Sequence, residues 1–256
     1  MPLFLRLSAL GAILFAVQAL FRRAGPWPAW AVFVALPIAL TPFWFRTNPA
    51  IGLFPWVKLY TILLSVNWIT ALRFTTLGER PWARFGMYLL LVVNIIEACT
   101  QDFFGEHLAH YLVLLSGVLL ILQLPNPCRA ISIDAENGRR ELLYRGLTRE
   151  WCVEYTLWNW AFVYLNYPAI AGRQFAVLAA ALVVGLGDPR RWLQARGYTL
   201  AAELMLLPTL PNSVIPPTDT SSWSSPYREN VVAAICVLLI AVEGVRLLRA
   251  RRGGAR

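Results

Sequence analysis

The stretch LFLRLSALGAILFAVQALF at residues 3–21, closed by Arg22 and Arg23, decides the fold. Its nineteen residues, whose one charge is Arg6, would rise about 28 Å as a helix, close to the ~30 Å of hydrocarbon in a bilayer. Eight further apolar runs repeat the pattern: Ala29 to Phe45, Gly52 to Leu72, Phe85 to Phe103, Leu108 to Leu124, Trp151 to Tyr167, Phe175 to Gly187, Trp192 to Leu210 and Val231 to Leu248. The seventh is short, and the eighth contains Glu203. The reading is an all-α polytopic transmembrane helix bundle of about nine spans, forming one domain over residues 1–256.

The arginines orient it. Taken alternately, the connections and adjoining span ends give one side eighteen basic residues, among them Arg22, Arg23, Arg73, Arg139, Arg140, Arg190, Arg191, Arg196 and Arg246. The other side keeps five: Arg6, Arg46, Lys58, Arg173 and Arg228. Cytoplasmic loops carry the excess of Lys and Arg, which puts the N-terminus outside and the C-terminus in the cytoplasm. A reporter active only in the cytoplasm is accordingly expected to work when fused after Arg256 and to be silent when inserted near Ser222. The reverse pattern would overturn the orientation.

Composition excludes other classes. The chain is 58% hydrophobic and 14% charged, with mean hydropathy +0.54, too little polar surface to coat a soluble globule. The net charge of +9 is no nucleic-acid stripe, because the arginines cluster at the ends of apolar runs. The partner implied is the lipid bilayer, together with other membrane subunits if the protein is part of a complex. The first run is expected to be a retained span and not a signal peptide. Its main charges follow it, and no A-x-A-like site precedes them.

The connections are mostly tight Gly and Pro turns. Ile131-Ser132-Ile133-Asp134 followed by Asn137-Gly138 suits a small hairpin on the inner side, and Pro211 to Asn230 an extracytoplasmic cap or lid. There is no internal repeat of the kind that builds many transporters. Cys99 and Cys236, both toward the outer leaflet, either pair or remain two buried thiols; Cys128 and Cys152 lie where disulfides are disfavoured.

Polar residues inside the spans carry the functional signal, since an ionisable group in hydrocarbon costs about 2.5–3.5 kcal/mol and needs a partner. Asn94, Glu97 and Gln101 stand at i, i+3 and i+7 on one face of the fourth span, leading to Asp102, Glu106, His107 and His110. Lys58, Thr61 and Ser65 share a face of the third span, and Tyr155, Asn159, Phe162 and Asn166 one of the sixth. Arg173 follows at the outer mouth of the seventh. These faces predict an outward-facing polar chamber lined by Lys58, Asn94, Glu97, Gln101, His107, His110, Asn159 and Asn166. Lys58 and Glu97 enter their spans at comparable depth and should meet, with Asn159 or His110 in the same network. The plainer reading has Lys58 snorkelling to the headgroups and the asparagines bonding helix to helix. Glu243 with Arg246, and Glu150 and Glu154 near Arg149, read as boundary charges, whereas Glu203 lies mid-span.

Two histidines at i, i+3 are a weak metal signal. The chain has no Cys-x-x-Cys and no paired Glu-x-x-His, so no metal site is assigned and the cofactor is left open. The only lysine is on the third span, not on the last as a retinal protein requires. No G-x-S-x-G, H-E-x-x-H, P-loop or G-x-G-x-x-G occurs.

The segment Arg145-Gly146-Leu147-Thr148-Arg149-Glu150-Trp151, continuing through Tyr155 to Asn159-Trp160 and Phe162 to Tyr167-Pro168, resembles a family of bacterial multi-pass inner-membrane proteins built on a domain of unknown function. Arg191-Trp192, Arg196-Gly197-Tyr198 and Asp219-Thr220-Ser221 before Trp223 are similar to later stretches of it. The resemblance is best over the C-terminal half. It implies the bacterial inner membrane and carries no activity. Three functions remain in order: binding or transport of a small solute or ion through the outward chamber; a non-catalytic accessory subunit of a larger membrane complex; and a membrane-embedded enzyme on a lipid or quinone-like substrate, for which Asp219, His107 and His110 would have to converge.

Overall fold

In the computed structural model, which describes residues 2–48, 52–135, 140–210 and 219–253, each of the nine apolar runs coincides with a helix. These are α1 Leu3–Arg23, α2 Pro26–Thr47, α3 Leu53–Phe74, α4 Pro81–Phe103, α5 Leu108–Gln123, α6 Arg149–Asn166, α7 Ala171–Gly187, α8 Trp192–Thr209 and α9 Pro226–Gly253. Among the described residues, five helices are long and apolar enough to cross a membrane: α1, α2, α4, α7 with its preceding turn, and α9. α5 is apolar but shorter. Phe4, Ile38, Leu53, Leu122 and Leu238, from five different helices, are exposed on the outside of the bundle. A helical bundle that is apolar outside as well as inside fits an integral membrane protein.

α6 and α8 occupy the centre: eleven of 18 residues are buried in α6 and twelve of 18 in α8, against four of 21 in α1. α6 packs on α4, α5, α7 and α9, while α8 packs on α1, α3 and α7. Most side chains on these two helices meet other helices and not the outside. That is why they can carry Glu154, Asn159, Arg196 and Glu203. Glu154 is therefore a correction: it is no boundary charge but a buried one. Glu243 does pair with Arg246, at 3.6 Å.

α2 contains a π-helical turn at Ala31–Ala35. Pro37 has no N–H to give Phe33 and its ring crowds that carbonyl. The freed oxygen accepts from Asn67 Nδ2 of α3 at 3.0 Å, which fastens α2 to the bundle.

One end of the bundle is closed by a hairpin of β1 Ile131–Asp134 and β2 Glu141–Tyr144, antiparallel with Ile131 opposite Tyr144 and Asp134 opposite Glu141. Its expected Asn137-Gly138 turn lies outside the described residues. Glu141 is buried and takes Arg191 at 2.9 Å and Arg22 at 3.4 Å, while Gln194 Oε1 accepts from Leu142 N at 2.7 Å. Beside it, Asp188 caps the turn Pro189–Arg191, and the Arg190 guanidinium holds its carboxyl below the ordinary value. Arg73, expected as a boundary residue, is fully buried here.

At the other end, the described part of the α8–α9 connection packs on the bundle. Thr220 donates its N–H to Ala169 O at 3.1 Å and its hydroxyl to Pro168 O at 2.7 Å, and accepts from Gly172 N at 3.1 Å. Tyr164 donates to Trp223 O. Thr220 to Trp223 is thus pinned across the ends of α6 and α7; residues 211–218 of the expected cap or lid lie outside the described residues. Cys99, Cys128, Cys152 and Cys236 are all free thiols, so the Cys99–Cys236 pairing is not made.

Candidate functional site

α3 and α4 run antiparallel and in contact. Lys58 stands five residues inside one end of α3 and Glu97 six inside the adjacent end of α4, so both sit about 8 Å along their helices. Lys58 Nζ donates to Glu97 Oε2 at 3.1 Å and to Asn94 O at 3.1 Å, and Thr61 Oγ1 donates to the same carboxylate oxygen at 3.4 Å. The expected approach is there. Neither Asn159 nor His110 joins it, which corrects the single shared network.

A second cluster sits at the cap end. Asp102, fully buried, lies 2.9 Å from His110 Nδ1 and accepts from Asn166 Nδ2 at 2.7 Å. α4, α5 and α6 are joined there. The turn from α4 to α5 admits this only with Gly105, where a Cβ would lie 2.3 Å from the His110 ring. The His107 ring stacks 6.4 Å from that of His110 but takes no part, and Gln101 enters none of these clusters. No group of three or more His, Cys, Asp or Glu able to hold a metal occurs among the described residues.

The third cluster lies at the heart of the bundle. Asn159 Oδ1 of α6 accepts from Gln174 Nε2 of α7 at 2.7 Å and from Arg196 Nη2 of α8 at 3.4 Å. Arg196 is 4% exposed, and its Nε and Nη1 have no partner. Glu203, the nearest acid on its helix, is taken by Arg173 at 3.2 Å. Tyr155 OH donates to Asn94 Oδ1 at 3.4 Å, leaving Asn94 Nδ2 buried and unpartnered. Arg196, Asn94, Tyr155 and Ser65 line one cavity of about 30 Å³, walled otherwise by Ile62, Met87, Leu91 and other apolar residues.

The polar residues on α3 to α6 therefore do not gather around one chamber. They divide into a Lys58–Glu97 pair, an Asp102–His110–Asn166 triad and a central group in which Asn159 bonds Arg196 while Asn94 lines a cavity with that arginine. The charge count places Arg196 among the boundary cations, whereas the structure buries it. Its signal was the i, i+3, i+7 face Arg196, Thr199, Glu203, all three buried.

The fold and these sequestered polar groups define a helical integral membrane protein with a polar interior. Within that class, the chain belongs to a family of unknown function (DUF5692), whose profile matches residues 4–249. Neither the curated proteins nor the solved structures compared with it gave a match.

Proposed function

We propose that this protein is a nine-span protein of the bacterial inner membrane, N-terminus outside, that binds a small anion in its central cavity. The unbalanced Arg196 guanidinium carries this reading. Arginine stays protonated in proteins and offers only donors. An unpaired charge at this depth is costly, and the local acids are committed: Glu97 to Lys58 and Glu203 to Arg173. Arg196 Nε, Arg196 Nη1 and Asn94 Nδ2 are three unmet donors on residues lining one space, a donor set that suits an anion. A water needs roughly 10–15 Å³ of such space, so about 30 Å³ suits a halide or one to two waters and no larger solute.

The test is the melting of purified protein in detergent, titrated with sodium chloride or bromide against sodium gluconate at constant ionic strength. Saturable stabilisation by the small anions is expected, about 2.7 kcal/mol at a hundredfold excess over Kd. Arg196→Gln should abolish it. Equal melting in all three salts, or an unchanged response in Arg196→Gln, would refute the reading.

A further inference from the structure

A groove runs between α1 and α7, outside the three polar clusters of the interior. Its longer part, about 570 Å³, is lined by Leu7, Gly11, Ala12, Phe175, Ala179 and other apolar residues. A second part of about 370 Å³ continues it to the hairpin end, lined by Gln18, Ala19, Arg22, Arg23, Asp188 and Arg191. Phe15 and Val183 belong to both parts, so they form one trough. The trough exists because small residues face each other: a Cβ on Gly11 would lie 3.5 Å from Ala176 O.

We propose that this trough binds a phospholipid with an acidic headgroup, its phosphate on the arginines and one acyl chain along α1 and α7. Three observations support it. The charge at the mouth is unbalanced: Arg22 and Arg191 share Glu141 and Arg190 and Arg191 share Asp188. Arg190 does not line the trough and also feels the Asp134 carboxylate; at the mouth itself Arg22, Arg191 and exposed Arg23, which has no ion pair among the described residues, set three guanidinia against the carboxylates of Asp188 and Glu141. The length fits, since Gly11 to Arg22 covers about 16 Å of helix, half of a ~30 Å hydrocarbon core and hence one leaflet. Gln18 lies one turn below Arg22, at the depth of the ester groups. Only 2% exposed, it lines the trough and its Oε1 has no partner. With the amide turned over, its NH₂ would face an ester carbonyl. A free anion would use the arginines but leave Gln18 and the apolar trough unexplained.

The experiment is native mass spectrometry of the protein reconstituted with equal amounts of phosphatidylglycerol and phosphatidylcholine. The wild type should retain about one lipid per chain, with phosphatidylglycerol enriched several-fold over the bulk. Arg23→Gln should remove most of the enrichment, and Ala179→Trp, which fills the trough, should remove the bound lipid. Ala12→Phe fills it from the exposed wall and serves if the tryptophan variant does not fold. Added glycerol 1-phosphate, the headgroup chemistry without chains, should not displace the lipid, whereas displacement would show an anion site only. Retained lipid matching the bulk, or unchanged in the trough-filling variants, would overturn the proposal. Arg196→Gln should leave lipid retention untouched, so this result stands apart from the fate of the anion site.

Discussion

Replacing Arg73 with methionine is expected to destabilise the protein by about 4 kcal/mol, the loss expected when several buried acceptors are left without the charged donor that satisfied them. The guanidinium is fully buried and, among the described residues, donates to acceptors on three other parts of the chain. Nη1 donates to Phe21 O at 3.0 Å and Tyr198 OH at 2.7 Å, Nη2 to Arg22 O at 2.8 Å and Nε to Arg140 O at 2.7 Å. Phe21 O and Arg22 O are among the last carbonyls of α1, which have no partner within their own helix and lie at the negative end of its dipole. Arg140 Nε returns a bond to Arg73 O, so the hairpin is latched to α3 from both sides. Methionine fills the volume but leaves these oxygens dry. Lysine restores the charge without the planar fork and should recover less than half of the loss. Thermal melting in detergent measures all three proteins; a methionine variant melting with the wild type would show that the latch does not hold the hairpin end.

Lys58→Met and Glu97→Gln should each destabilise by about 3 kcal/mol, and the double variant should recover most of that. Both side chains are only 14–15% exposed, so removing either partner strands a poorly solvated charge, whereas removing both strands none. A double-mutant cycle isolates the coupling. Additive single and double losses would mean that the 3.1 Å contact contributes nothing and that each residue acts through its other bonds.

The helices were legible because lipid-facing length is written directly in hydropathy. Their ends were legible only where polarity marks a boundary and not an interior face. α7 begins at Ala171, four residues before its apolar run, because Arg173 and Gln174 turn inward to Glu203 and Asn159. α4 and α9 begin at Pro81 and Pro226, prolines suited to a first helical turn. The Lys58–Glu97 pair followed from depth alone, since adjacent antiparallel spans bring equal depths together. Arg73, Glu154 and Arg196 did not. Depth puts each near an edge or in the inner third, but only the packing of α6 and α8 at the centre decides that they point inward. Asp102 with His110 and Asn166 needed the rotation of three helices, which no spacing along one chain specifies.

An anion that neutralises Arg196 inside the bundle would be visible directly. Crystals of the protein grown in sodium bromide should show one anomalous peak within hydrogen-bonding distance of Arg196 and Asn94 Nδ2, absent from crystals of Arg196→Gln. A central cavity with no anomalous density at saturating bromide, or the same peak in the glutamine variant, would contradict it.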